Sequence, residues 1–255
     1  MSEVIVALLT PFGADGGLDR SALREHVAFL LDAGVDGLMP CGTTGEGLLL
    51  DDDELQVVIS ETLAAVDGRA RVLAHVGRAS TSATVRAARA AVAAGVDGAS
   101  AVVPFYYSYD DAQIVAHFRA LIEAVDRPVY AYAIPARAGN ELSVAATREL
   151  RGHGLRGVKD STKSRERMHE YLACGVDVLT GTDAFVHEAF AAGAAGCVSA
   201  IANVRPDLLC ALRDGGGEEV QAELSDVRAR TPFARLKDAV AERLPSYPTA
   251  YRPPL

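Results

Sequence analysis

The phrase Ala-Gly-Val-Asp-Gly occurs at 33–37 and again at 94–98, with variants Cys174-Gly-Val-Asp-Val178 and, more loosely, Ala192-Gly-Ala-Ala-Gly196. Each copy follows an Ala/Leu-rich stretch and precedes a short apolar run. The first glycine of the phrase suits the left-handed conformation that ends a helix, and the next residues turn the chain into a strand. One copy would mark only a helix stop. Four copies make a repeated helix-to-strand loop, which demands alternating strands and helices and so a parallel sheet.

The apolar runs predict eight strands: Val4–Leu9, Gly37–Met39, Val72–His75, Gly98–Val103, Val129–Ala133, Leu155–Val158, Val176–Thr180 and Cys197–Ala200. Helical patterns fall between them, at Asp19–Asp32, Asp52–Val66, Ser82–Ala94 and Ala112–Val125 among others, with Asp51 or Asp52 as a cap and Glu54 in the first turn. Eight such units fit within residues 1–205 of a 255-residue chain, and a (β/α)8 TIM barrel needs about 250 residues. A doubly wound dinucleotide fold is disfavoured, because no Gly-x-Gly-x-x-Gly follows the first strand. Residues 206–255 read as a helical appendix packed on the barrel within the same domain, with patterns at Pro206–Arg213, Glu218–Arg230 and Phe233–Arg243. The Pro-rich end, Tyr247–Leu255, is expected to run over the surface.

A net charge of −9 and the lack of a basic stripe argue against a nucleic-acid partner. No apolar run is long enough to span a membrane, and the first residues lack the basic and apolar regions of a signal peptide. Cys41, Cys174, Cys197 and Cys210 are widely spaced, with no CxxC pair, as expected of reduced thiols in a cytoplasmic protein. None of the six histidines has metal-ligand spacing, so no metal is expected.

Of the 25 basic residues only three are lysines, at 159, 163 and 237. Lys163 and Lys237 lie in polar helical patterns, where a solvated side chain is the ordinary reading. Lys159 instead follows the sixth apolar run, at the strand end that forms the catalytic face of such barrels. Against apolar walls an ammonium loses solvation, its pKa falls, and the neutral amine can attack a carbonyl. Arginine cannot do this. A rim lysine paired with Asp160 is the other reading, and position alone leaves both open.

Other candidates follow strand ends too. Gly42-Thr-Thr-Gly-Glu-Gly47 comes after strand 2, and its backbone could approach a carboxylate, although a plain Gly-rich turn has the same composition. Tyr132 sits near the end of strand 5 and could move protons or merely pack. Arg137 could hold a carboxylate by two hydrogen bonds or be a surface charge. His75 ends strand 3 and could face a pocket. Pro104-Phe-Tyr-Tyr107 is an aromatic cluster that could serve a site or an interface.

In order along the chain, Thr10-Pro-Phe12, Gly42-Thr-Thr-Gly-Glu46, Pro104-Phe-Tyr106, Tyr132-Ala-Ile-Pro135, Gly157-Val-Lys-Asp160, Gly181-Thr-Asp183 and Ala202-Asn-Val204 resemble the dihydrodipicolinate synthase/N-acetylneuraminate lyase family over nearly the whole length. The resemblance implies a class I mechanism in which Lys159 forms an imine with pyruvate or another 2-oxo acid, without a separate cofactor. Thr43 and Thr44 would hold the pyruvate carboxylate. Thr43, Tyr106 and Tyr132 would form a proton relay, with Tyr106 reaching in from a neighbouring subunit of a homodimer or homotetramer. Val198 would line the pyruvate pocket by its carbonyl. Gly181, Asp183 and His75 complete the candidate substrate-binding set. The chain departs from the family at Ala133, commonly Asn, at His75, usually a small residue, and at Ala79, where some synthases bind lysine through Asn.

Arg137 matches an arginine that synthases use for a second carboxylate, which suggests 4-hydroxy-tetrahydrodipicolinate synthase, condensing pyruvate with aspartate semialdehyde. Lys159-Asp-Ser161 and Ala133 look more like branches that cleave 2-oxo acids. The expectation is therefore a pyruvate-dependent aldolase or lyase acting with an aldehyde, with the synthase as runner-up. A non-catalytic paralogue that binds an oxo acid is a further alternative, opposed by the intact Lys159, Tyr132 and Thr43.

Overall fold

Each full copy of the repeated phrase does two jobs in the computed structural model, which describes residues 2–255. Gly34 and Gly95 take φ of +84° and +106°, where a side chain would be strained, and so stop their helices. The aspartate that follows brackets the neighbouring strand. Asp36 donates its backbone N–H to the carbonyl of Val4 and accepts from the Val4 N–H at 2.8 Å through its carboxylate. Asp97 does the same to Val72, again with a 2.8 Å side-chain bond. The phrase recurs because it both ends a helix and sets strand register.

The strands are β1 (Glu3–Ala7), β2 (Gly37–Met39), β3 (Arg71–His75), β4 (Gly98–Val102), β5 (Val129–Ala133), β6 (Gly157–Asp160), β7 (Asp177–Thr180) and β8 (Gly196–Ser199). They pair in parallel, in sequence order, and β8 closes on β1, so the barrel expected from the sequence is the one observed. The expected sixth strand is displaced. Leu155 and Arg156 lead into the strand, and β6 runs from Gly157 through Lys159 to Asp160. The first strand ends earlier than expected, at Ala7, because Leu9 N–H turns to the side-chain oxygen of Asn203.

Eleven helices are described: α1 (Arg20–Asp32), α2 (Asp52–Val66), α3 (Thr81–Ala94), α4 (Asp111–Ala124), α5 (Pro135–Ala138), α6 (Val144–Gly152), α7 (Arg165–Leu172), α8 (Val186–Ala191), α9 (Pro206–Arg213), α10 (Glu218–Arg230) and α11 (Leu236–Ala241). Asp51 caps α2 reciprocally with Glu54, as the sequence suggests. Strand alternation sorts the core into two parts. Val4, Val6, Leu38 and Val72 face outward and pack with helix residues such as Leu23, Leu55 and Phe118. Ile5, Ala7, Met39, Leu73, Tyr130, Leu179 and Val198 cluster within the barrel.

The C-terminal segment corrects two expectations. Lys237 is not a solvated helix residue; its side chain is fully buried against Glu46. Nor does the Pro-rich end merely run over the surface. Tyr247 is buried beside His26, and Arg252 reaches Glu54 and the carbonyls of Gly16 and Leu49. Periodicity misreads both because their partners lie some 200 positions away in the chain.

Candidate active site

Lys159 and Tyr132 stand side by side because β5 and β6 pair with these two residues in register. Alternation turns both side chains inward at the C-terminal mouth of the barrel. Lys159 is only 3% exposed. Its Nζ lies 4.1 Å from the Tyr132 ring centre and 3.4 Å from the sulfur of Met39, a weak acceptor. Burial lowers its pKa from the ordinary lysine value, while Tyr132 and Asp183 pull weakly the other way. The pairing with Asp160 does not form. Adjacent strand residues face opposite ways, and the Asp160 carboxylate accepts from the Thr162 N–H and hydroxyl at 2.9 and 2.7 Å.

The 42–47 loop folds back onto the strand ends. Thr10 donates its hydroxyl to the Gly45 carbonyl at 2.7 Å. A Cβ at Gly45 would sit 2.6 Å from the Leu8 carbonyl oxygen, and one at Gly47 would collide with the carbonyl of Cys41. Only glycine permits this approach. It carries the Thr43 hydroxyl to 3.4 Å from the Tyr132 hydroxyl and buries Thr44.

A cavity of about 430 Å³ opens above Lys159. Thr43, Thr44, Tyr132, Arg137, Gly181, Asp183 and Val198 line it, so the structure brings these candidates together with Lys159. Asp183 turns to neighbours rather than into open space. Ser199 donates to one of its oxygens at 2.6 Å, and the Arg228 guanidinium stands 3.6 Å from the other. Burial nevertheless raises the Asp183 pKa.

Two candidates lie elsewhere. His75 lines a second, mostly apolar cavity of about 280 Å³, which Thr43 and Arg137 also border. Its Nε2 accepts from the Val102 N–H at 3.1 Å, so the neutral ring carries its proton on Nδ1. Burial, helped by Lys159 and Arg78, pushes its pKa down to about 3. Its ring meets Tyr132 edge-on at 5.9 Å, so it shapes the tyrosine's setting from behind. Tyr106 is 85% exposed and does not reach the cavity of its own chain. Its φ of +78° is a conformation that bulky residues adopt only under constraint.

The cavity also contains residues to which the sequence assigned no place in the site: Ser161, Lys163, Arg228, Phe233 and Leu236. Lys163 is in a loop with φ of +64°, not in a helix, and borders the cavity. Arg228, Phe233 and Leu236 come from the C-terminal segment, and no local pattern points from there to the barrel mouth. Among the described residues no group of three or more His, Cys, Asp or Glu is placed to hold a metal ion. Nor is any described helix long and apolar enough to cross a membrane.

The model of the Dihydrodipicolinate synthetase family matches residues 1–232. The chain belongs to this family. Its members are pyruvate-dependent lyases and synthases that work through a Schiff base, and the chain is an enzyme of that class. An uncharacterized DapA-like lyase of Halobacterium salinarum is 39% identical over 233 residues, covering 88% of this chain and 76% of that protein. A 4-hydroxy-tetrahydrodipicolinate synthase of Pelobacter propionicus is 37% identical over 214 residues, covering 82% and 73%. Among solved structures, YagE, a prophage protein of the dihydrodipicolinic acid synthase family from E. coli K12 crystallised with pyruvate, superposes with a TM-score of 0.94 at 26% identity. That alignment covers 100% of this chain and 92% of YagE.

Proposed function

We propose that the chain forms or cleaves a carbon–carbon bond next to the carbonyl of a 2-oxo acid, with Lys159 as the imine-forming residue. The observation that carries this reading is the buried Lys159 amine beside Tyr132 and Thr43 at the barrel mouth. The neutral amine adds to C2 of pyruvate, and loss of water gives the imine. Removal of a C3 proton leaves an enamine, whose C3 attacks an aldehyde carbon; cleavage of a 4-hydroxy-2-oxo acid is the reverse. Tyr132, supported by Thr43, relays protons to and from the departing and incoming oxygens. Thr43 and Thr44 hold the 2-oxo acid carboxylate, and the Val198 backbone and Gly181 shape its pocket. Asp183 orders that wall through Ser199.

Arg137 supports the more specific reading, a synthase condensing pyruvate with aspartate semialdehyde. It borders both cavities and has no ion-pair partner among the described residues, which suits a group awaiting an acceptor carboxylate. The exposed, constrained Tyr106 supports a homo-oligomer in which it completes the relay of the neighbouring site. Residues 206–255 belong with the barrel as one domain, and four unpaired cysteines suit work in the cytoplasm.

Borohydride added with pyruvate tests the reading. The expected result is one covalent adduct, seen by intact mass and mapped to Lys159. No adduct, or one on Lys163, would refute it. A panel of aldehydes with and without a carboxylate, run alongside cleavage of 2-oxo acids, then tests the synthase reading.

A further inference from the structure

Glu46 and Lys237 are fully buried, and Lys237 Nζ lies 2.6 Å from Glu46 Oε1. Glu46 closes the Gly42-Thr-Thr-Gly-Glu loop in a left-handed conformation, with φ of +56°. Lys237 sits on α11, beside Leu236, which lines the same cavity as Thr43 and Thr44. The ammonium has a full set of neighbours. It donates to the Ala250 carbonyl at 2.6 Å and lies 4.6 and 4.5 Å from the ring centres of Phe12 and Tyr251. The other Glu46 oxygen accepts from the Arg252 N–H at 2.8 Å. One carboxylate on the threonine loop thus receives both the terminal helix and the tail that follows it.

Taking two charges out of water offsets much of their attraction, so apolar side chains would join these surfaces at least as stably. What a buried ion pair adds is a fixed direction and distance. The geometry points to the Glu46–Lys237 pair as a latch that sets the gap between the threonine loop and the C-terminal wall of the cavity. In doing so it positions Thr43 and Thr44 for the 2-oxo acid carboxylate. Neither residue lines the cavity at Lys159, so both are positioning residues rather than catalytic ones. The inference rests on the reading of Thr43 and Thr44 as the carboxylate-binding groups.

The test uses the full chain, Lys237→Met, and the double variant Glu46→Gln/Lys237→Met. Three readouts are taken: the pyruvate concentration that half-saturates borohydride trapping, kcat, and Tm. Lys237→Met leaves a lone buried carboxylate, so its Tm falls; the double variant removes both charges and recovers Tm. The latch predicts that the double variant still needs at least ~10-fold more pyruvate, with a smaller change in kcat. If the pyruvate requirement returns to the parental value along with Tm, the pair is only structural and the latch is overturned. Should Lys237→Met fail to fold, the double variant alone decides. A parent chain that saturating pyruvate and borohydride never label would instead overturn the underlying reading of the site.

Discussion

Burial lowers the pKa of both Lys159 and Lys237, yet their neighbours send them to different uses. Lys237 meets a carboxylate at 2.6 Å and is held as the cation of an ion pair. Lys159 meets an aromatic face and a thioether, neither of which replaces lost water, so deprotonation is eased. The neutral amine fraction rises with pH, so the rate of imine formation should level off at a pH below that of an ordinary lysine. Stopped trapping across about pH 6–11 measures this, and a rise that continues to about pH 10.5 would contradict it. Tyr132→Phe should keep its fold and Tm but slow turnover by at least ~100-fold, since only the phenolic proton is lost. Steady-state rates with melting curves check both halves. That Lys159 and Tyr132 share the barrel mouth was legible from strand ends, whereas their pairing in register came only with the fold. The neutral His75 behind them was not, because its role depends on the Val102 N–H that fixes its tautomer.

The repeated helix-to-strand loop shows what local chemistry can specify. Its glycine and aspartate act on the nearest strand, and the aspartate bonds to Val4 and Val72 span only 32 and 25 positions. Asp97→Ala should therefore leave the Val72 N–H unsatisfied at the barrel base and cost about 1–3 kcal/mol. At Gly98, an added Cβ would lie 2.9 Å from Leu73 Cδ1 and 3.0 Å from the Pro128 carbonyl. Gly98→Ala should cost a similar amount through overpacking. Urea unfolding of the two variants tests these values, and midpoints equal to the parent's would remove the loop's role in stability. The edges of β1 and β6 were less legible, because apolar runs do not reveal where a backbone N–H leaves the ladder for a side chain such as Asn203.

Across the whole molecule, three buried histidines link stability to pH. Burial pushes His26 and His117 down to about 4 and His75 to about 3, each from 6.5. Between those values and 6.5 the unfolded chain binds more protons than the folded one, so stability rises with pH across this window and is lost on acidification. Each histidine accounts for something on the order of 3 kcal/mol by pH 4. Asp160 and Asp183, whose pKa values burial raises, act with the opposite sign and offset part of the loss. Melting temperatures from pH 7.5 to 4 should fall most steeply below about 6.5, and His117→Gln should flatten the curve. Assembly belongs to this scale as well. If Tyr106 serves a neighbour's site, mixing inactive Tyr106→Phe and Lys159→Met chains should restore activity, because hybrids contain one complete site. No recovery after subunit exchange would count against a shared site.

Local features of the chain determined the barrel: a recurring loop phrase, apolar runs of strand length, and a scarce lysine after the sixth run. These act over a few residues or between neighbouring strands, so they can be read along the sequence. The placement of Thr43, Tyr132 and Lys159 followed, since strand ends of one barrel share one face. Only the tertiary structure decided what Lys237, Arg228 and Phe233 do. Their partners, Glu46, Asp183 and the cavity wall, are brought to them by closure of the barrel and return of the C-terminal helices. Burial of an ionisable group is a property of that closed shape, and nothing in the residues flanking it reports whether water will reach it.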